Sequence, residues 1–257
     1  MFSLKKKFLY LSASLVFILA FSAALGAREA TVVKLAAFDY PPFYYDKDNR
    51  VQGIAVDLVD ALFSRMNMKH EIRIYPLKRA LENLKTGKND GIMILIKTPE
   101  REQSLIYTSP VLTVRGVLWW AADGKRSGLE FERLEDLTPF RIGVTRGYSY
   151  GIELDNILKN MTVDVVGSDL LNFKKLLWHR IDAFPCNEIV AKGLFKSNKA
   201  FQGKFIHSKN AFIEWKLHMA ISKKSDLADK INDINTIIDD LKKEGFINNT
   251  VKKYIEE

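Results

Sequence analysis

The residues whose types and spacing could do chemistry are cations, hydroxyls and aromatics placed where strands hand over to helices. In Asp90-Gly91-Ile92-Met93-Ile94-Leu95-Ile96-Lys97-Thr98-Pro99-Glu100-Arg101, an apolar, partly β-branched run follows a turn signal and reads as a buried strand. It stops at Thr98, a good N-cap, with Pro99 suited to the first helical position and Glu100 favoured by the helix dipole. A buried strand ending at Ile96 and feeding a helix start leaves backbone N–H groups beside Arg101, a receptor for a carboxylate. The plain alternative is an ordinary turn with a solvated arginine. A second candidate is the loop Phe38-Asp39-Tyr40-Pro41-Pro42-Phe43-Tyr44-Tyr45, stiffened by two prolines, where Tyr40 and Phe43 could form a ligand platform or simply cover the core. His70, His179, His207 and His218 show no ligand spacing, and Cys186 is the only cysteine, so neither a metal, a cofactor nor a disulfide is expected. A lone cysteine is ordinarily a small buried apolar residue.

These positions need elements to hold them. From Thr31 the chain alternates: strands near 32–37, 71–75, 91–96, 141–144, 163–166 and 181–184, with helices near 54–66, 76–84, 151–160, 168–178 and 187–195. Pro76 suits a first helical position. A short strand at 104–108 leads past Pro110 into a long extended run, 111–120, that could cross between two domains. Further extended segments at 204–206 and 214–221 precede a helix over 225–243, Gly245 as its terminator, and a last short helix. Such alternation argues for an α/β fold with largely parallel sheets, in which ligands sit at the carboxyl ends of strands. The loops after Ala37, Ile96, Val144 and Phe184 qualify.

Bulk properties narrow the classes. Lys5-Lys6-Lys7, an apolar stretch over 8–21 and small residues over 22–27 form the pattern of a secretory signal peptide cleaved near Gly26 or Ala27, with an uncleaved anchor as the alternative. Without those three lysines the net charge falls from +8 to +5, and no basic stripe with interleaved aromatics indicates nucleic acid. The remaining chain of about 230 residues suffices for two small domains or one large one.

Several motifs in order resemble a known family. Tyr40-Pro41-Pro42-Phe43, Gly53 with Val56-Asp57-Leu58, Asp90-Gly91 and Thr98-Pro99-Glu100-Arg101 are similar to the amino-acid-type periplasmic solute-binding proteins, family 3. Arg141-Ile142-Gly143-Val144 with Gly147, Arg180-Ile181-Asp182-Ala183 and Lys242-Lys243-Glu244-Gly245 continue the match over the mature chain. The resemblance implies a type II-like two-lobed binding protein. Lobe 1 would be 27–115 plus 216–257, lobe 2 would be 116–215, and two crossing strands would form the hinge. It also implies that Arg101 clamps a ligand carboxylate, that Tyr40 packs against the ligand, and that Ser149, after Gly147, offers a hydroxyl at a lobe-2 helix start. Asn187 stands where the family usually has the aspartate that binds an α-ammonium, and Glu188 beside it either points inward or is solvated. The hydroxyl-rich strand end of the family is here apolar Ile94-Leu95-Ile96. Lys78, or Leu77 if the register slips by one, falls near a usual aromatic, and Arg146 adds a cation.

The expected function is therefore capture of a small carboxylate-bearing solute by hinge closure, by an exported monomer in the periplasm that serves an ABC importer. Two alternatives remain: an aromatic-acid dehydratase on the same fold, or a ligand sensor for a separate signalling partner.

Overall fold

The computed structural model describes residues 32–124 and 131–256, so the expected signal peptide lies outside the described residues. The first half of the chain builds β1 (Val33–Ala37), the hairpin β2 (Tyr45–Lys47) and β3 (Arg50–Gln52), α1 (Ile54–Arg65), β4 (His70–Ile74), α2 (Leu77–Thr86), β5 (Gly91–Ile96) and α3 (Pro99–Glu102). Strands β4 and β5 flank β1, both parallel to it. Asp90 anchors the start of β5: its carboxylate accepts from the Lys34 N–H at 2.7 Å and the Ser225 hydroxyl at 2.6 Å. The aromatic loop after β1 is shaped by the start of α1, whose first N–H groups donate to the carbonyls of Pro42 and Phe43. Gly53 is obligatory there, since a Cβ would sit 2.2 Å from the Phe43 carbonyl oxygen.

Two long strands join the halves. β6 (Leu105–Ala121) runs unbroken for 17 residues, absorbing both extended segments expected from the sequence. β11 (Ile213–Ser222) pairs antiparallel along it, from Ile213 opposite Gly116 to Ser222 opposite Leu105. The pairing shifts register beside Pro110, where a missing N–H is tolerated. β11 also pairs with β5, while the far end of β6 pairs with β9 (Phe184–Asn187) and β10 (Phe205–His207). Within this seven-stranded sheet every antiparallel pair involves β6 or β11, so the largely parallel expectation holds away from the crossing strands.

The second half contains β7 (Ile142–Thr145), α4 (Ile152–Leu158), β8 (Val163–Val166), α5 (Asp169–Leu177) and α6 (Glu188–Ser197). β7 pairs parallel with β8, and a parallel bridge from Ile142 to Ala183 leads to β9. Its core is aromatic: Phe173 meets Phe184, Phe195 and Phe205 with ring centroids 5.0–5.2 Å apart, and Trp119 lies edge-on to Phe195 at 5.2 Å. Burial of each such ring stabilises the fold by roughly 1.5–3 kcal/mol. The C-terminal helices α7 (Ile231–Lys243) and α8 (Phe246–Ile255) return to pack on α1, with Gly245 at φ 73° between them. The expected helix over 225–243 begins instead as a 3-10 turn, Asp226–Lys230, capped by Ser225.

Candidate functional site

The carboxyl ends of β1, β5, β7 and β9 converge on one cavity of about 50 Å³ between the two lobes. That volume holds a few waters, at roughly 10–15 Å³ each. Of the positions read from sequence, Tyr40, Ile96, Arg101, Ser149 and Asn187 line it. Phe43, Thr98, Lys78, Arg146, Gly147 and Glu188 do not.

Arg101 arises as the turn predicts. Thr98 is the N-cap of α3, Pro99 occupies its first position, and the Thr98 hydroxyl accepts from the Arg101 N–H at 3.4 Å. The guanidinium turns back to donate to the Ile96 carbonyl at 2.9 Å. Among the described residues no carboxylate lies within ion-pair distance of it. Burial lowers the Arg101 pKa, while the Tyr107 hydroxyl and the charges of Glu100 and Asp155 favour the cation. Arginine nonetheless stays charged, with most of its five donors free for a planar anion.

Just before this turn, Ile94 sits at φ 65° where β5 bulges against β11. A β-branched residue in left-handed backbone is strained, and its place in the cavity wall matches where such strain collects.

The aromatic loop supplies a stack. Tyr40 lies 5.1 Å from Phe38 and 5.4 Å from Phe43, nearly parallel to both, while Tyr148 meets it edge-on at 5.5 Å from the opposite lobe. Phe43 is fully buried beneath Tyr40 and is core, not platform. The Tyr40 hydroxyl accepts from the Asn187 Nδ2 at 2.6 Å across the cleft. Asn187 also caps α6, its Oδ1 accepting from the Val190 N–H at 2.7 Å. Both ends of the amide are engaged.

The lobe-2 helix start departs from expectation. Ser149 donates to Asp155 at 2.7 Å, and the same carboxylate takes the Tyr150 N–H at 2.8 Å. That turn carries its own anion, so it does not offer a free N-terminus to a ligand carboxylate. Arg146 and Gly147 are exposed beside it. Glu188 forms an ion pair with Arg115 of β6 at 2.6 Å, so it neither lines the cavity nor stands free. Pro76 proves to be the N-cap of α2 rather than its first residue, which turns Leu77 into the cavity and leaves Lys78 exposed.

Sequence reasoning missed Asp169. It is the first residue of α5, only 6% exposed, and lines the cavity. Its Oδ1 accepts from the Thr145 hydroxyl at 2.5 Å, and its Oδ2 has the Cys186 thiol at 3.9 Å. Burial pushes its pKa up to about 7, against the lowering effect of those two bonds. The Cys186 thiol is pushed far up by burial, first, and by Asp169, which makes it an inert packed group as read from sequence. Ser168-Asp169 before Leu170-Leu171 looks like any helix start, and nothing in the sequence marks the aspartate as inward-facing.

Comparison with known proteins agrees with this architecture. The description of bacterial extracellular solute-binding proteins, family 3, matches residues 34–257. The arginine-binding extracellular protein ArtP of Bacillus subtilis (strain 168) is 27% identical over 206 residues, covering 76% of this chain and 75% of its own. A histidine kinase sensor domain with similarity to periplasmic binding proteins superimposes with TM-score 0.75 at 18% identity, covering 89% of this chain and 97% of that one. The substrate-binding protein of an amino acid ABC transporter gives TM-score 0.70 at 21% identity, covering 88% and 99%.

Proposed function

Because the chain belongs to the bacterial extracellular solute-binding proteins of family 3, we propose that it captures a small carboxylate-bearing solute, an amino acid or a related polar molecule, between its lobes, with Arg101 as the anion clamp. The observation that carries this reading is the state of Arg101: its guanidinium is drawn into the cavity wall, bonded only to the Ile96 carbonyl, with no acidic partner among the described residues. A partly buried arginine that no carboxylate pairs with directly pays a desolvation cost that a ligand carboxylate would offset. Bidentate pairing is what a guanidinium offers a carboxylate and an ammonium does not.

The cavity is far smaller than the roughly 300–1,000 Å³ usual for ligand sites, so loading requires the lobes to part. Lobe 1 is 27–115 with 216–257, lobe 2 is 116–215, and β6 with β11 is the hinge. Contacts of Tyr148 with Tyr40 and Phe38, and the Asn187–Tyr40 bond, are those that opening breaks and ligand-bridged closure restores. Tyr40 serves as the ring against the ligand, and Ile96 lies at the mouth of the clamp. Residues 1–26 act as the export leader, the protein works as a periplasmic monomer, and an ABC importer receives the solute. A separate sensor protein is the alternative recipient.

Turnover by the same site is a second reading, favoured by the raised pKa of Asp169, which suits a general acid. We expect no consumption of prephenate or arogenate by the purified protein. The binding reading is tested by a thermal-shift screen of amino and organic acids on wild type and Arg101→Ala. Acids that stabilise the wild type should lose about 100-fold in affinity in the variant, as expected for charged hydrogen bonds worth roughly 1.5–3 kcal/mol each. An unchanged ligand profile would remove Arg101 from its role.

A further inference from the structure

Asp169 is a carboxyl group with few partners in a place where it could serve a ligand. Of the cavity-lining residues, Arg101 is the one formal cation and Asp169 the one formal anion. The two come from different lobes, one from the turn after β5 and one from the turn after β8. A carboxylate can accept about four hydrogen bonds. Here one oxygen takes the Thr145 hydroxyl, and the other has only a thiol, a weak donor, 3.9 Å away. Among the described residues no lysine, arginine or histidine is within ion-pair distance of it.

The groups facing Asp169 are the Tyr40 hydroxyl from the β1 loop, Tyr148 and Tyr150 from the loop after β7, and Cys186 from β9. Burial keeps all four protonated and neutral. Asp39 contributes a more distant negative charge. No positive charge in this shell balances the aspartate.

Asn187 carries no charge to balance an ammonium, and each end of its amide already has a partner. Its oxygen is held by the Val190 N–H and its amide by Tyr40. The thiol of the residue immediately before it touches Asp169, so a carboxylate reaches the same corner of the cleft from a neighbouring helix.

We propose that Asp169 receives a cationic group of the ligand, an amine or a guanidine, so that the solute is a zwitterion held between Arg101 and Asp169 and not a simple anion. The inference rests on the solute-capture reading of this cavity. An arriving cation would hold the carboxylate ionised, displace its proton near neutrality, and offset the cost of its burial.

The test is calorimetric titration of L-arginine, L-glutamine, agmatine and glutarate into wild type, Arg101→Ala and Asp169→Asn. At least one amino acid should bind the wild type, with glutarate and agmatine at least about tenfold weaker, one lacking the amine and the other the carboxylate. Asp169→Asn should weaken that amino acid by about tenfold or more. An affinity unchanged in Asp169→Asn, glutarate binding as tightly as the amino acids, or neither amino acid binding the wild type would each overturn the proposal. Loss in Asp169→Asn with none in Arg101→Ala would leave the proposal standing and remove the clamp. Should Asp169→Asn fail to fold, wild-type titrations near neutral pH in two buffers of different ionisation enthalpy decide the matter. Release of a proton on binding supports the proposal, and no release contradicts it.

Discussion

Two strand-to-helix turns face each other across the cleft, and in sequence both read as helix starts open to an anion. The β5–α3 turn caps itself with a neutral hydroxyl, Thr98, and among the described residues no carboxylate forms an ion pair with its cation, Arg101. The β7–α4 turn caps itself with a carboxylate, Asp155, which engages both Ser149 and the Tyr150 N–H. Backbone geometry makes a helix start attractive to anions in both cases. What decides whether the site stays open is whether the chain brings its own anion a few residues later. In the first turn Glu100 and Glu102 follow, yet Glu102 pairs outward with Lys97 and neither reaches the guanidinium as an ion pair. In the second, Asp155 folds back. Of the two, the β5–α3 turn is the one left open to a ligand carboxylate, which is why the proposed clamp is placed there.

The largest effect that can break this contrast is at the clamp. Arg101→Lys keeps the charge and loses the planar fork, so ligand affinity measured by calorimetry should fall about 10- to 100-fold, for loss of one or two charged hydrogen bonds. An affinity within about twofold of wild type would mean that charge alone suffices.

Next comes Asp169 on the lobe-2 side. Its folded pKa, about 7, lies above the ordinary carboxylate value of 3.8. Between those values the native state holds a proton that the unfolded state has lost. Stability from this group is therefore fully present at low pH, falls as pH rises toward 7, and levels off above. At about 1.4 kcal/mol per unit the penalty is a few kcal/mol at most. Asp169→Asn should melt higher than wild type at about pH 8, with the gain shrinking toward about pH 5. A constant difference across that range in thermal denaturation would show that the carboxylate is not penalised by burial.

A smaller change comes from opening the second turn. Asp155→Ala leaves the Tyr150 N–H and the Ser149 hydroxyl without their acceptor, lowering stability by about 1–3 kcal/mol in denaturant unfolding. It also removes a negative charge that acts on Arg101, so carboxylate ligands should bind a few-fold tighter. Weaker binding would instead make Ser149 a ligand contact held by Asp155. Lys78→Ala should do least, with ligand affinity within about twofold of wild type, because Lys78 is exposed while Leu77 faces the cavity.

The contrast also explains what could be read from sequence. The apolar run ending at Thr98-Pro99 announced both a buried strand and a capped helix, because each depends on neighbours within a few residues. The order of strands and helices, the crossing strands and the inert Cys186 were legible for the same reason. Asp169 was not, since its burial follows from α5 docking over β7, with a partner 24 residues earlier. The bulge that strains Ile94 belongs to the pairing of β5 with β11, segments more than a hundred residues apart. The choice between Lys78 and Leu77 stayed open in the sequence, and it is Leu77 that lines the cavity while Lys78 is exposed. Glu188 was ambiguous until Arg115, 73 residues away, supplied its partner.

The central claim, that Arg101 holds the carboxylate of a captured solute, is tested most directly by mass spectrometry of small molecules released on denaturing purified wild type and Arg101→Ala. A carboxylate-bearing molecule should leave the wild type in near-stoichiometric amount and be absent from the variant. The same molecule released equally from both, or one that carries no carboxylate, would contradict the account.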